Sequence, residues 1–283
     1  MNEKRFLITG LNGIIGWNLF SRISREHVVT GTYRKEHPGL KGLAVYRLDW
    51  DEEEISAAFF QKADPEYLIH AWAMCDLDLC EQMPDMAEEI NLRSTRKILA
   101  AARGIKHLKK IIYISTDHVF NGDKGKYSEE DVPNPKHVYG ATKFAAEKEI
   151  QASGFPYLII RPGLVIGESL QGNKGPRDFL FTRIRKEKPT HYFTDEWRTP
   201  VKGEDLAEQV MQLSLSDRLG IFHIAGNESY SRYELACLLA SAGGLSSHQI
   251  FPRLRKEDRW AHIRPHNLSL VSRYLSPSAS IFS

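Results

Sequence analysis

Short apolar runs alternate along the chain with longer stretches in which apolar residues recur every three or four positions. The runs Phe6–Thr9, Val28–Tyr33, Leu43–Leu48, Tyr67–His70, Ile111–Ser115 and Tyr157–Arg161 are rich in β-branched and aromatic residues and read as strands. Between them, 14–25, 52–63, 85–103 and 139–153 carry a helical period. Strands alternating with helices predict a parallel sheet with right-handed crossovers and helices on both faces. Runs such as IIYIS and YLIIR are nearly continuous in apolar residues, as strands covered on both sides must be.

The pattern changes near residue 165. GESLQGNKGPRD reads as a polar loop, followed by a helix at 177–187 and a strand-like HYFTD at 191–195. A helix over Gly203–Ser216 and a strand in GIFHIAG come next. Ser231 with Glu234 three residues later is a capping-box pattern that opens a helix over 232–242. The serine-rich end SPSASIFS is expected to fray. The expected architecture is α/β: a doubly wound parallel sheet forming a nucleotide-binding domain over 1–165, and a smaller discontinuous C-terminal substrate lobe over 166–283. Some lobe elements are expected to return to the sheet, with the ligand in the cleft between the two parts.

Composition narrows the function classes. The 283 residues carry 38 Lys+Arg against 36 Asp+Glu, a net charge of +2. That is too small an excess for a protein that binds nucleic acid by neutralising phosphates. Cys75, Cys80 and Cys237 have no paired spacing, which argues against a disulfide framework and fits a reducing compartment. No apolar run reaches the roughly 18 residues of a membrane span, and MNEKRFLITG leads straight into a strand without a signal-peptide pattern. A cytoplasmic location is therefore expected. Cys75, Asp76, Asp78 and Cys80 match no ligand spacing and include no histidine, so they read as loop structure, with no metal.

Two segments carry candidate chemistry. The first strand runs through Gly10-Leu11-Asn12-Gly13-Ile14-Ile15-Gly16 into a helix, a GxxGxxG loop. Such a loop either lets backbone N–H groups approach a pyrophosphate at the positive helix end or simply makes a turn. The second strand ends at Thr32-Tyr33-Arg34-Lys35, where an acidic residue would bind the ribose of NAD. Arg34 and Lys35 instead suit a 2′-phosphate, which leans towards NADP(H) with NAD(H) as the alternative, or they form a solvated basic loop. Asp49, followed by Trp50, is placed to bond an adenine amino group or to cap the next helix.

Tyr139-Gly-Ala-Thr-Lys143 opens a helix, and a spacing of four puts phenol and ammonium on one face. A cation so placed is expected to lower the phenol pKa towards the range of a general acid. Ser115-Thr116-Asp117 ends the fifth strand at the carboxyl edge of the sheet, where a hydroxyl can donate to a substrate carbonyl. Together they suit hydride transfer to a ketone, with Tyr139 supplying the proton. A basic stretch at Lys174, Arg177, Arg183, Arg185, Lys186 and Lys188 is either a diphosphate contact or a solvated helical face.

GxxGxxG at 10–16, STDHVFNG at 115–122 and YGATK at 139–143 resemble the extended short-chain dehydrogenases/reductases, most closely the dTDP-4-dehydrorhamnose reductase branch. LDW at 48–50, AWA at 71–73, IRPGLVIG at 160–167, DEWRTPV at 195–201 and RPHNLSL at 264–270 agree with it. The resemblance implies a Rossmann-like domain, a nicotinamide cofactor and a nucleotide-activated sugar as substrate, with a homodimer as a possible assembly. Carried onto this chain, it makes Thr116, Tyr139 and Lys143 the catalytic set. Gly10, Asn12, Gly13, Ile14 and Ile15 would line the pyrophosphate. Arg34, Asp49 and Trp50 would meet the adenosine half, and Ala71, Trp72 and Ala73 the inner edge of the cofactor. Val119 and Phe120 would flank the substrate, and Arg198 and Thr199 would lie where the lobe meets it. His118 stands where the family usually has Tyr, and the family's last helix is expected to be short or missing. The same branch includes non-catalytic relatives, such as the regulatory subunit of methionine adenosyltransferase, and an epimerase is a further alternative. A dehydratase is disfavoured because Asp117 is followed by His118 and not Glu.

Overall fold

A computed structural model describes residues 3–49 and 57–282. Its centre is a parallel sheet of seven strands: β1 (Arg5–Thr9), β2 (Val28–Tyr33), β3 (Val45–Arg47), β4 (Tyr67–His70), β5 (Lys110–Ile114), β6 (Tyr157–Pro162) and, returning from late in the chain, Gly220–Ile224. In space the order is that last strand, then β6, β5, β4, β1, β2 and β3, so the direction of winding reverses between β1 and β4. In such a sheet the crevice at the reversal lies outside the carboxyl ends of the strands and is where ligands bind.

Alternation within the apolar runs builds two cores. Phe6, Ile8, Ile69, Ile112, Ile114, Leu158 and Ile160 point to one face, where they pack with Leu19 and Ile23 of α1 (Ile14–Ile23) and with Leu206 and Val210. Leu7, Leu68, Ile111, Tyr113 and Ile159 point to the other. There they meet Phe60 of α2 (Ala57–Ala63) and residues of two longer helices. Burial of each such side chain contributes roughly 1.5–3 kcal/mol. This two-sided burial accounts for the unbroken apolar character of these runs.

After β4 the chain forms α3 (Leu77–Gln82), α4 (Pro84–Glu88), a π-helical turn at Glu89–Arg93, and α5 (Ser94–Ala102). The expected loop at 75–80 is thus partly helix: Asp76 caps α3 by accepting from Leu79 N at 3.0 Å. α6 (Val138–Ala152) follows β5, and β7 (Leu164–Ile166), α7 (Gly175–Arg185), β8 (Thr190–Phe193), β9 (Trp197–Arg198) and β10 (Pro200–Lys202) follow β6. α8 (Gly203–Leu215) packs on α1, and β11 (Gly220–Ile224) is the strand that rejoins the main sheet. β12 (Tyr230–Ser231), α9 (Arg232–Ala242) and β13 (Ile250–Arg253) complete the chain. The Ser231–Glu234 capping box forms as the sequence predicts. Ile166, Leu180, Ile184, Leu235, Leu239 and Ile250 make a separate small core between α7, α9, β7 and β13. Small sheets tie these pieces together: β7 with β10, β9 with β12, and β8 with β13. Beyond α9, the described residues contain no α-helix.

Candidate active site

The glycine loop is shaped by close packing. Gly10 has φ +79°, and a Cβ there would stand 2.8 Å from Trp72 Cα at the end of β4. A Cβ on Gly16 would be 2.3 Å from the Gly10 carbonyl oxygen. Both positions therefore require glycine. α1 begins after Gly13 with no side-chain cap and no acidic residue in its first turn, so its positive end is uncompensated within the chain's described residues. Asn12 Nδ2 donates to Lys35 O at 2.7 Å, while its buried Oδ1 has no partner among the described residues. An unpaired acceptor beside an uncapped helix start suits the hydroxyls and pyrophosphate of a dinucleotide, and the residues present fit that group.

Ile14 and Ile15 are half-buried at the start of α1, and Ala71, Trp72 and Ala73 follow β4 on the strand next to β1, also half-buried. At the end of β2, Arg34 Nε lies 2.9 Å from Asp49 Oδ1, and Arg47 approaches the other oxygen at 3.5 Å. Trp50, and the start of the helix that Asp49 was expected to cap, lie outside the described residues.

The proposed catalytic residues converge at the next junction. β5 leads through Ser115 and Thr116 into a 3-10 turn at Asp117–Val119, and Thr116 Oγ1 caps that turn by accepting from His118 N at 3.2 Å. α6 starts beside it at His137, whose Nδ1 lies 3.0 Å from Gly140 N. A Cβ on Gly140 would sit 2.1 Å from His118 O, so the glycine of YGATK is what lets the turn dock on the helix. Helical spacing then places Tyr139, Lys143 and Glu147 in one column, all buried. The Thr116 hydroxyl donates to Asp117 Oδ1 at 3.2 Å. Lys143 Nζ donates to Ile114 O at 2.7 Å and lies 4.0 Å from the centre of the Tyr113 ring.

The electrostatics differ from the sequence expectation. Burial raises the Tyr139 pKa above that of an ordinary phenol; Cys75 adds to the rise and Thr116 opposes it. Lys143 is pushed down to about 7, also by burial, with Glu147 opposing. Desolvation outweighs the attraction of a cation whose ammonium is turned to Ile114 O and the Tyr113 face. Tyr139 consequently holds its proton at neutral pH.

Supporting residues lie around this site: Asn91, which with Cys80-Glu81 also agrees with the family resemblance but carried no role from it, and the Glu147–Arg161 pair, which pattern reading missed. Asn91, in the π-helical turn, accepts from Met74 N at 2.8 Å and donates to Met74 O at 3.1 Å and Thr142 Oγ1 at 3.0 Å. It thereby joins the segment after β4 to α6. Glu147 accepts from Arg161 Nε at 3.0 Å and Nη2 at 2.7 Å, and Ser115 Oγ donates to it as well. An available signal was the lone charge in the buried strand YLIIR, which had to be paired inside the protein.

The four expected substrate residues are placed differently. Val119 and Phe120 are fully buried in a cluster with Tyr127, Leu268 and Leu270, so packing holds them away from any surface. Thr199 Oγ1 is buried and accepts from Leu270 N at 3.0 Å. Arg198 is buried and bidentate to Asp117, Nε to Oδ2 and Nη2 to Oδ1, both at 2.7 Å; its Nη1 lies 3.0 Å from His118 Nε2. Its guanidinium is committed to the turn that follows Thr116. In the basic stretch, Arg177 pairs with Glu168 at 3.0 Å, and Arg183 and Arg185 lie over the rings of Phe179 and Phe181. Among the described residues no group of three or more His, Cys, Asp or Glu could hold a metal ion, and no helix is long and apolar enough to cross a membrane.

The RmlD substrate binding domain model matches residues 4–281. The chain belongs to this family, in the RmlD-like branch of the extended short-chain dehydrogenases/reductases. A solved structure described as a hypothetical dTDP-4-dehydrorhamnose reductase from Sulfolobus tokodaii is 31% identical, with a TM-score of 0.81 over 98% of this chain and 97% of that one. The Bacillus anthracis dTDP-4-dehydrorhamnose reductase in complex with NADP shares the fold at 24% identity and a TM-score of 0.81, over 95% of this chain and 91% of its own. Among curated proteins, bovine methionine adenosyltransferase 2 subunit beta is 29% identical over 265 residues, 88% of this RmlD-family chain and 75% of that protein.

Proposed function

We propose that this chain is an NADP(H)-preferring reductase of a 4-keto deoxysugar nucleotide, with Thr116, Tyr139 and Lys143 as its catalytic residues. The observation that carries the reading is the convergence of these three buried groups at the carboxyl edge of the sheet, Thr116 at the end of β5 and Tyr139 and Lys143 on the first turns of α6. A reduced nicotinamide supplies the hydride when bound. The chain's own residues do the rest. Thr116 donates to the carbonyl oxygen, and Tyr139 transfers its phenolic proton to the same oxygen as negative charge develops. Lys143 in its protonated form stabilises the tyrosinate left behind, and burial, which brings its pKa down to about 7, lets it give up a proton to restore the phenol. Gly10, Asn12, Gly13, Ile14 and Ile15 would hold the pyrophosphate, Ala71, Trp72 and Ala73 the inner edge of the cofactor, and Arg34 a 2′-phosphate. The raised phenol pKa supports a donor that stays protonated until charge appears on the substrate. Relatives with NADP or a nucleotide-sugar reductase name support the cofactor and substrate class.

A second reading is favoured by the likeness to methionine adenosyltransferase 2 subunit beta: a regulatory chain that binds the cofactor and a catalytic partner. A thermal-shift panel separates the two. The reductase reading expects NADPH and dTDP- or UDP-linked deoxysugars each to raise the melting temperature by mass action. It fails if nucleotide sugars give no shift while a methionine adenosyltransferase catalytic subunit co-elutes with the NADPH-loaded chain.

A further inference from the structure

His118 and His137 are buried ring to ring between two fixed donors. His118 Nδ1 lies 2.9 Å from His137 Nε2. At the outer end of the pair, Arg198 Nη1 meets His118 Nε2 at 3.0 Å; at the inner end, Gly140 N meets His137 Nδ1 at 3.0 Å. An arginine nitrogen and a backbone N–H only donate, so both outer imidazole nitrogens would have to accept. Burial pushes His118 well below the ordinary histidine range and His137 down to about 4, aided in both by Arg198 and Arg264, so each ring is neutral and carries one proton. If both outer nitrogens accept, both protons fall on the 2.9 Å contact between the rings, where one nitrogen must accept. Two neutral imidazoles can satisfy only two of the three contacts.

The two possible arrangements cost different amounts. With the protons on His118 Nδ1 and His137 Nδ1, Arg198 donates to His118 and His118 donates to His137, but His137 then turns an N–H towards Gly140 N and no longer caps α6. With the protons on both Nε2 atoms the cap is kept, but a His118 N–H faces the guanidinium. Opposing an N–H to a full cation in a buried site is the more costly of the two, because unscreened charge weighs more than a neutral dipole.

We infer that Arg198 selects the Nδ1-protonated tautomer of both His118 and His137 and so acts, through this pair, as a positioning residue that loosens the first turn of the helix carrying Tyr139 and Lys143. Arg198 comes from β9, in the C-terminal part of the chain, and α6 from the sheet layer; the histidine pair is the hydrogen-bonded link between them. Gly140, Tyr139 and the His118 carbonyl meet at the same turn, so a change in the cap reaches Tyr139 directly. The role in positioning Tyr139 rests on the reductase reading; the tautomers do not.

The test reads protons and not turnover. Long-range 1H–15N spectra of the full chain labelled in histidine report which ring nitrogen is protonated. Wild type is expected to show Nδ1–H on both residues. Because removing Arg198 alone leaves Asp117 as a buried unpaired carboxylate, the main variant is Asp117→Asn with Arg198→Met, accompanied by Arg198→Lys. In the double variant both rings are expected to move to Nε2–H, and amide exchange at Gly140 is expected to slow at least tenfold as the cap returns. The inference is overturned if wild type shows Nε2–H on either ring, if either ring is doubly protonated at neutral pH, or if the double variant folds with its tautomers unchanged. Wild type with the expected tautomers but no NADPH-dependent turnover would instead count against the reductase reading.

Discussion

The buried ion pair one turn beyond Lys143 gives the sharpest prediction. Arg161 and Glu147 are each about 1% exposed, and two hydrogen bonds join them. Arg161→Met keeps much of the packing against Phe120 but leaves the Glu147 carboxylate with Ser115 as its remaining side-chain partner. Stripping one partner from a buried pair costs about 3–5 kcal/mol, because the surviving charge is left in a low dielectric. At about 2–4 °C per kcal/mol for a chain of this size, the melting temperature should fall by about 6–20 °C. Glu147→Gln with Arg161→Met removes both charges, and Ser115 can still donate to the amide oxygen. The double variant should recover at least half of the loss, a coupling of about 2 kcal/mol or more in a double-mutant cycle of urea melts. A single variant that costs less than about 1 kcal/mol, or strictly additive losses, would refute the claim that the charges hold each other in place.

Other outcomes follow from the same site. Lys143 has a folded pKa of about 7 against an ordinary 10.5, so the unfolded chain binds more protons between these values. Its contribution to stability therefore rises with pH across that window, and Lys143→Met should flatten the rise in melting temperature from pH 7 to 10 while abolishing turnover. His70, held near 3, and His137, near 4, are buried neutral; below their unfolded pKa of about 6.5 the unfolded chain takes up protons first, so stability should fall from pH 6.5 towards 4 in urea melts. Gly140→Ala drives a Cβ into the His118 carbonyl and should lower the melting temperature by several degrees and displace Tyr139, read by loss of activity greater than loss of cofactor binding. Arg34→Ala should weaken NADPH about tenfold or more while changing NADH little, measured by titration calorimetry.

The main sheet was legible because two-sided burial leaves a plain mark: Val28–Tyr33 and Tyr67–His70 coincide with the runs that predicted them. The third strand shrank from 43–48 to Val45–Arg47 because it is an edge strand with fewer apolar neighbours. Strands of two to four residues such as β9, β10 and β12 carry no period of their own, and their pairing depends on partners far along the chain. Tyr139 and Lys143 were legible through helical spacing, and Thr116 through its place at a strand end. Their pKa values were not, since a cation four residues away says nothing about desolvation. Nor could spacing show that Arg198 turns inward to Asp117 or that Val119 and Phe120 are sealed in a core, because both depend on how β9 and the segment 264–270 fold back over the turn after Thr116.

One measurement bears most directly on the central claim. Wild type and Tyr139→Phe are mixed with NADPH and a dTDP-4-keto-6-deoxyhexose, and consumption of NADPH is followed together with reduction of the sugar. Turnover by wild type is expected, with the rate falling about 10²–10⁴-fold in Tyr139→Phe while NADPH binds both proteins equally. Wild type that binds NADPH but reduces no 4-keto sugar nucleotide, or Tyr139→Phe that turns over at the wild-type rate, would contradict it.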